Sequence, residues 1–357
     1  MTDAPSHRFH AGTTRVPRPS VQMTMPEGKA PAPLTGMVRL ADGTIHDITT
    51  LDDVRAAATN TDATFWVDLD VSRAEEASLL KEVFHFHPLA IEDALNAASR
   101  VKVDEYPTFL VVVARVVGFC KTTPDPYDLE TENLTVFLTE KAIVTTHLQR
   151  LPATDALIAR VKENPHLLER GPARMAHLVL DVAVDAYFPV LDQLDEFVDD
   201  LEQRVFGKFD EQMLQEIFKV KRLVISLRRY LAPQREVLSA LTMRPSRFLT
   251  QDAQLYFRDV YDHMLRITDA LDSYRDLLSS TLDSYLTQVS NRLGSVSKGL
   301  AVVGALSVPF VVVAGVYGMN FDRIPLAHHP YGFQIMVAIQ LALGAGLILT
   351  LKRLKWL

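Results

Sequence analysis

The feature that most constrains this chain is an uncharged apolar segment near its C-terminus, residues 299–317. A helix of this length spans roughly 28 Å, which is close to the thickness of the hydrocarbon layer of a membrane. A second uncharged segment, residues 333–351, follows after a short polar loop. We therefore expect two membrane-spanning helices; the alternative is a buried helical hairpin in a soluble protein.

Basic residues flank this pair of predicted spans. Arg292 and Lys298 precede the first span, and Lys352, Arg353 and Lys355 follow the second. Because positively charged flanks tend to stay in the cytoplasm, the sequence predicts a multi-pass protein of the cytoplasmic membrane with both termini inside. The loop of residues 318–332 would then lie outside, and residues 352–357 would form a basic cytosolic end.

The composition limits the classes of function. The net charge is −7 and no basic-aromatic motif is present, so nucleic acid is not expected as a partner. The single cysteine, Cys120, cannot form an internal disulfide, which suits a reducing cytosol. The sequence contains no phosphate-binding loop, catalytic triad or spaced set of metal ligands, and we do not expect an enzyme.

The N-terminal part of the sequence divides into a tail and a globular domain. Residues 1–36 contain six prolines and little apolar periodicity, which predicts a flexible tail. Over residues 37–165, strand and helix patterns interleave, which predicts a cytosolic α/β-type domain. The signals are a hairpin turning at Asp42-Gly43, a strand at 64–70, a helix capped by Ser72 and Glu75, a short helix at 87–97, a β-rich segment at 106–119 and a hairpin turning near Glu140-Lys141.

Residues 166–250 are predicted to form a helical hairpin, after a helix at 152–164. Its first helix, 172–206, is acidic and is expected to bend at Pro189, whereas its second helix, 210–242, is basic. Joined through Gly207, the two helices could pair antiparallel through complementary charge. A solvated charged face and an acidic surface that concentrates cations near the membrane are the alternatives.

The next helix is predicted to continue into the first span without a break, over residues 251–317. Its apolar and aromatic residues recur at steps of 4, 3, 4, 4, 3, 4, 4, 3 and 4, an eleven-residue repeat. We expect copies of the same helix around an axis to cover this stripe; packing against the chain's own helices is the alternative. The stripe comprises Ile267, Leu271, Tyr274, Leu278, Leu282, Tyr285, Val289, Leu293, Val296 and Leu300.

One face of the first predicted span carries small or weakly polar residues at helical spacing. In a ring of helices, small residues leave room for a water-filled lumen, and bulky apolar residues narrow it. Small residues also allow two helices to pack closely, and the sequence leaves both readings open. The face comprises Gly294, Ser297, Ala301, Gly304 and Val308, with Leu300 beside it.

A short motif ends the first predicted span, because residues 317–320 read YGMN. It is accompanied by HPLAIEDALN at 87–96, YFRDVYDH at 256–263, YLTQVSN at 285–291 and a C-terminal KWL. In these motifs, and over nearly the whole chain after the tail, the sequence resembles the CorA family of magnesium and cobalt transporters. Zinc transporters of the ZntB type belong to the same superfamily.

The resemblance implies a funnel-shaped homopentamer in the lipid bilayer, with an α+β cytosolic domain in which helices flank a mixed sheet. The first span would line the pore, with Gly294, Ser297, Leu300, Ala301, Gly304 and Val308 on its pore-lining face. Gly318, Met319 and Asn320 would form the outer ring that selects the ion. The implied function is uptake of Mg²⁺, and also of Co²⁺ or Ni²⁺, driven by the electrochemical gradient and gated by cytosolic Mg²⁺.

The resemblance also assigns regulatory metal ligands. Asp93 and Asp259 match positions at which carboxylates of adjacent subunits bind a regulatory Mg²⁺, and Glu92 and Asp185 are candidates for a second site. Bound metal would cancel the repulsion between subunits and hold the funnel closed. For each acid, a surface ion pair is the alternative.

The sequence departs from the family pattern at the pore mouth and in the outer loop. Gly294 stands where the family usually has asparagine. In the loop, Asp322 remains, and His328 and His329 could instead offer ligands to Zn²⁺, Ni²⁺ or Co²⁺. The alternative functions are therefore Zn²⁺ transport of the ZntB type, and a membrane-anchored oligomeric scaffold or metal sensor that does not conduct.

Overall fold

The computed structural model describes residues 34–120, 122–149, 152–207, 210, 212–319, 325–326 and 329–354. The predicted flexible tail therefore lies almost wholly outside the described residues. Asn320, Asp322, His328 and the end of the basic C-terminus also lie outside them.

A seven-stranded mixed sheet forms the centre of the globular domain. The strand order is β2-β1-β3-β7-β6-β5-β4, with β3 and β7 parallel and all other neighbours antiparallel. The predicted hairpins are confirmed, with β1 paired to β2 and β6 paired to β7. The strands are β1 Thr35–Arg39, β2 Ile45–Ile48, β3 Thr64–Asp70, β4 Lys102–Glu105, β5 Leu110–Phe119, β6 Leu129–Leu138 and β7 Ala142–His147.

Helices cover both faces of this sheet. Alternate strand residues point to opposite sides, and the residues on each side pack in a separate core. On one face, Val111 and Phe137 lie in a core with helices α1 to α3. On the other face, Val112 and Val136 lie in a larger core with helices α4 to α8. The helices are α1 Leu51–Thr59, α2 Ala74–Glu82, α3 Pro88–Leu95, α4 Pro152–Glu163, α5 Pro172–Asp185, α6 Phe188–Val205, α7 Met213–Met243, α8 Gln251–Tyr317 and α9 Gly332–Arg353, with a 3₁₀ turn at Pro165–Arg170.

The predicted cap of α2 is wrong. The helix begins at Ala74, so Arg73 occupies the cap position and makes no side-chain capping bond. Ser72 instead bonds to the Asp70 carboxylate, and Glu76, rather than Glu75, accepts the Asp70 backbone N–H at 2.7 Å. Because Ser72 bonds to the end of β3, it belongs to the strand-to-helix turn.

The acidic helical segment is broken, not merely bent. α5 ends at Asp185 and α6 begins at Phe188, with Pro189 in its first turn, where proline is well tolerated. In a continuous helix, the Pro189 ring would clash with the carbonyl of Asp185, four residues earlier. The intervening Tyr187 is fully buried.

The buried Tyr187 joins three elements through hydrogen bonds. Its hydroxyl donates to the Arg115 carbonyl of β5 at 2.9 Å and accepts from Gln234 Nε2 of α7 at 2.8 Å. Gln234 Oε1 in turn accepts the Arg115 backbone N–H at 2.9 Å. These bonds connect the break between α5 and α6 to both the sheet and the helical layer.

Of the alternatives for the acidic and basic helices, antiparallel pairing through complementary charge is not seen among the described residues. The ion pair between α6 and α7 is Arg204–Glu216, a base on the acidic helix and an acid on the basic one. Arg228 of α7 instead pairs with Asp272 of α8. The helices pack through apolar residues such as Leu201 and Val220, so most of their charges lie on solvated faces.

The prediction of one continuous helix into the first span is confirmed by α8, which has 67 residues. Thr250 caps its start by accepting the Ala253 N–H at 3.2 Å. The expectation that copies of the chain cover its whole apolar stripe is wrong for the lower part, which packs in the chain's own core from Ile267 to Val289. The upper stripe residues Leu293, Val296 and Leu300 are exposed in the single chain.

α8 and α9 are the two described helices that are long and apolar enough to cross a membrane. Only 6% of the residues in the apolar window of each are buried. A core hairpin of a soluble protein would be mostly buried, so the structure supports the prediction of two spans.

Candidate ion pathway and metal sites

The small-residue face of α8 is uncovered in the single chain. Ala301, Leu300 and Val308 are exposed, as are Gly294 and Ser297, and Gly304 is half-buried. Apart from the adjoining residues of α8 itself, no atom of the described residues lies within 4 Å of a Cβ added at Gly294 or Gly304. This face is therefore free to meet either water or another helix.

The second span, α9, packs on the other side of α8. A Cβ added at Gly344 would lie 3.0 Å from Phe310 Cζ, so the Phe310 ring packs directly on this glycine. Val308 and Phe310 are two residues apart and point in directions about 200° apart on a helix. The arrangement leaves the small-residue face open while α9 covers the opposite side.

The YGMN motif begins as the last turn of α8 closes. Gly318 ends the helix by donating its N–H to the Ala314 carbonyl at 2.9 Å, and Met319 donates to Val316 O at 3.3 Å. Met319 is half exposed. Tyr317 Oη donates to the Pro325 carbonyl at 3.0 Å, which ties the following loop back to the helix end.

In the described part of the outer loop, His329 is already partly engaged. Its Nδ1 accepts the Tyr331 backbone N–H at 3.2 Å, so only Nε2 is left for a metal ion. Two histidines of the cytosolic domain are engaged similarly: His87 Nδ1 accepts the Leu89 N–H as the cap of α3, and His85 Nδ1 contacts the Lys81 carbonyl.

A carboxylate-imidazole cluster lies between α5 and α8. His263 Nδ1 is 3.8 Å from Asp181 Oδ1 and 3.6 Å from Asp185 Oδ1, and ligand atoms of all three residues lie within 4.8 Å of one another. His263 Nε2 is 3.9 Å from Asp259 Oδ2. Two donors each about 2.1 Å from one metal ion are separated by about 3 to 3.5 Å, so this spacing is close to that of a metal site.

Positive charge already faces this cluster from α4. The Arg160 guanidinium lies 3.5 Å from Asp181 Oδ2 and 3.5 Å from Asp185 Oδ2. Burial and the neighbouring Asp185 carboxylate raise the pKa of Asp181, against the lowering effect of Arg160 and His263. A divalent cation would relieve the repulsion between the two carboxylates.

Asp93 occupies a separate place, on α3. Its Oδ2 lies 2.7 Å from Lys102 Nζ, and its Oδ1 accepts the Ser99 hydroxyl at 3.3 Å. The hydrogen bond to Asp93 raises the pKa of Lys102. Glu92, next to Asp93, is exposed.

The structure thus brings together some predicted site residues and adds others. Asp185 and Asp259 both face His263, whereas Asp93 and Glu92 lie on α3 with different neighbours. Asp181 and His263 were missed, although each lies four residues from a predicted ligand on the same helix face. Arg160 comes from another helix, and no local pattern in the sequence indicates its position.

The structure combines a mixed α+β domain, one long helix that continues into an apolar two-helix segment, and a carboxylate cluster near the start of that helix. These features define a class of protein, the two-span metal-ion transport proteins. The model of the CorA-like Mg²⁺ transporter protein family matches residues 61–353. The chain belongs to this family of membrane transporters.

Individual relatives agree with this assignment. The cobalt/magnesium transport protein CorA of Thermotoga maritima is 29% identical over 294 residues, covering 82% of this chain and 83% of the relative. The zinc transport protein ZntB of Pectobacterium carotovorum is 25% identical over 309 residues, covering 84% and 89%. The fold is similar to that of the complete CorA magnesium transporter from Methanocaldococcus jannaschii, with a TM-score of 0.79 and 19% identity over 92% of this chain and 100% of that one.

Proposed function

We propose that this protein is a homopentameric channel that carries Mg²⁺, and also Co²⁺ or Ni²⁺, into the cell across the cytoplasmic membrane. The observation that carries the proposal is the uncovered small-residue face of α8, which leads directly to the YGMN motif. Five copies would place this face around one axis, with α9 outside and both termini in the cytosol.

Gly318, Met319 and Asn320 form the proposed selectivity ring at the outer end of the pore. Mg²⁺ releases its water reluctantly, so a ring of neutral amide and carbonyl oxygens can hydrogen-bond to the hydrated ion. A ring of carboxylates would hold the ion more firmly and slow its release. The membrane potential contributes about 4.6 kcal/mol per divalent ion at 100 mV, which drives entry without ATP.

Regulation is proposed to use the carboxylates of the cytosolic domain. Asp93 of one subunit and Asp259 of the next would hold a Mg²⁺ ion, and Asp185 with Glu92 would contribute to a second site. The residues at Asp185 fit a divalent cation. Burial and the neighbouring Asp185 carboxylate raise the pKa of Asp181, and a cation between the two carboxylates would relieve their repulsion. Bound Mg²⁺ supplies positive charge between subunits, and its loss at low cytosolic Mg²⁺ favours the open state.

Zn²⁺ transport is the second candidate, and one observation favours it. The Asp181, Asp185 and His263 cluster offers an imidazole nitrogen beside two carboxylates, a donor set that suits Zn²⁺ better than Mg²⁺. His329 Nε2 is the corresponding donor in the described part of the outer loop.

Ion flux into proteoliposomes tests the proposal. The purified protein should load Mg²⁺ into vesicles at an inside-negative potential, and Asn320→Ala should reduce this flux at least about tenfold, since a ring of contacts to the ion is lost. Asn60→Ala, the same change far from the predicted spans, should leave flux unchanged. Flux of Zn²⁺ without Mg²⁺ would establish the alternative ion, and no flux of either would favour a scaffold or sensor.

A further inference from the structure

Lys102 is a built-in competitor of the regulatory ion. We infer that its ammonium group occupies Asp93 when Mg²⁺ is scarce and thereby sets the Mg²⁺ concentration at which this site fills. The inference rests on the proposed function, in which Asp93 is a regulatory ligand.

Both oxygens of Asp93 are engaged within the single chain. Oδ2 lies 2.7 Å from Lys102 Nζ, and Oδ1 accepts the Ser99 hydroxyl at 3.3 Å. The Asp93 side chain is 19% exposed and the Lys102 side chain 36%, so the carboxylate end of this ion pair is shielded from water. A divalent ion that binds Asp93 must therefore displace an existing charged hydrogen bond.

The backbone that leads to Lys102 is fixed near Asp93. Between α3 and β4, the Ser99 carbonyl accepts from Asn133 Nδ2 at 3.0 Å and from Arg115 Nη2 at 2.9 Å. Asn133 also donates to the Ala97 carbonyl at 3.2 Å. Since these bonds attach the connection to β5 and β6, the first residue of β4 starts beside Asp93 without a large ordering cost.

A second carboxylate, that of Asp104, also contacts the Lys102 ammonium group. Asp104 Oδ2 lies 3.0 Å from the same Lys102 Nζ, and its side chain is 43% exposed. When Mg²⁺ takes Asp93, Lys102 keeps the Asp104 contact and does not become an unpaired cation. The exchange is therefore a shift of one ammonium group between two acids, which makes it reversible over a modest range of Mg²⁺ concentration.

The test is a Mg²⁺ titration of the purified full-length protein. Binding is measured by calorimetry, and the conformational response is measured as protection from limited proteolysis. Lys102→Met should lower the half-saturating Mg²⁺ concentration about tenfold, because a charged hydrogen bond no longer competes for the ligand. Lys102→Arg should stay close to the wild type. Lys219→Met removes a comparable pair, Lys219–Asp125 at 2.8 Å, and should leave the titration unchanged.

Asp93→Asn separates the inference from the function on which it rests. In that background, Lys102→Met should have no further effect on the titration. If Asp93→Asn alone leaves Mg²⁺ binding and protection unchanged, the regulatory role of Asp93 fails, and the inference fails with it. If Asp93→Asn weakens binding but Lys102→Met stays within twofold of the wild type, only the competition is overturned.

Discussion

Each carboxylate proposed to bind a regulatory ion, except the exposed Glu92, has a positively charged or titratable nitrogen group of the same chain beside it. Lys102 faces Asp93, Arg160 faces Asp185, and His263 faces Asp259. At Asp93 and Asp185, the cations Lys102 and Arg160 offset the repulsion that closely placed acids would otherwise create. At these two carboxylates, binding of the proposed ion would therefore exchange one positive charge for another.

His177 provides a residue-level test of the packing beside this cluster. Its ring packs edge-on against Tyr256 and Phe257, and burial together with the Arg174 charge lowers its pKa to about 4. In the unfolded chain its pKa is about 6.5, so between pH 6.5 and pH 4 the unfolded state binds more protons. Stability is therefore lost as the pH falls through this range.

His177→Phe should remove about 2 kcal/mol of this acid destabilisation. Thermal unfolding at pH 7 and pH 4.5 measures it, and the midpoint of the variant should fall less than that of the wild type. His166→Phe is the control, because the His166 side chain is 83% exposed. Parallel curves for wild type and His177→Phe would contradict the assignment of the shift to His177.

Of the site residues that were missed, those that share a helix with a predicted ligand could have been found from the sequence, and the others could not. Asp185 and Asp259 were predicted through family resemblance, and their partners Asp181 and His263 lie one helical turn away on the same faces. Arg160 and Lys102 reach their acids from other elements. Their placement depends on tertiary packing, and no local periodicity in the sequence indicates which elements pack together.

At the level of elements, the single continuous helix α8 has a buried part and an exposed part. From Ile267 to Val289 its apolar stripe packs on the chain's own helices, and above Leu293 it is exposed. The eleven-residue repeat runs through both parts, so periodicity alone could not show where one partner ends and another begins. The break between α5 and α6 at Tyr187 could not be predicted from periodicity either, because it depends on hydrogen bonds to Arg115 and Gln234.

The contact between α8 and α9 can be tested at Gly344. Gly344→Leu would force a side chain against Phe310, and overpacking of this kind costs about 1 to 3 kcal/mol. The thermal midpoint of the purified protein in detergent should therefore fall by several degrees. Gly346→Leu is the matched control, since a Cβ there meets no atom within 4 Å among the described residues outside the adjoining part of α9. Equal losses in the two variants would show that Phe310 is not the cause.

At the level of the whole molecule, one helix connects the proposed metal sites to the proposed pore. Asp259 and His263 lie near its start, and Ala301 and Gly304 lie in its membrane part. The mixed sheet, the flanking helices and the two apolar spans could be predicted from pattern and resemblance. The number of copies around the axis could not, because it depends on contacts between chains.

The position of the pore can be measured directly with single cysteines in a Cys120→Ser background. Ala301 and Val303 are both exposed in the single chain but point about 200° apart, so Ala301→Cys would face the lumen and Val303→Cys would not. A positively charged thiol reagent should stop Mg²⁺ uptake by Ala301→Cys and leave uptake by Val303→Cys unchanged. Block at Val303→Cys, or continued uptake by fully labelled Ala301→Cys, would contradict a pore lined by this face of α8.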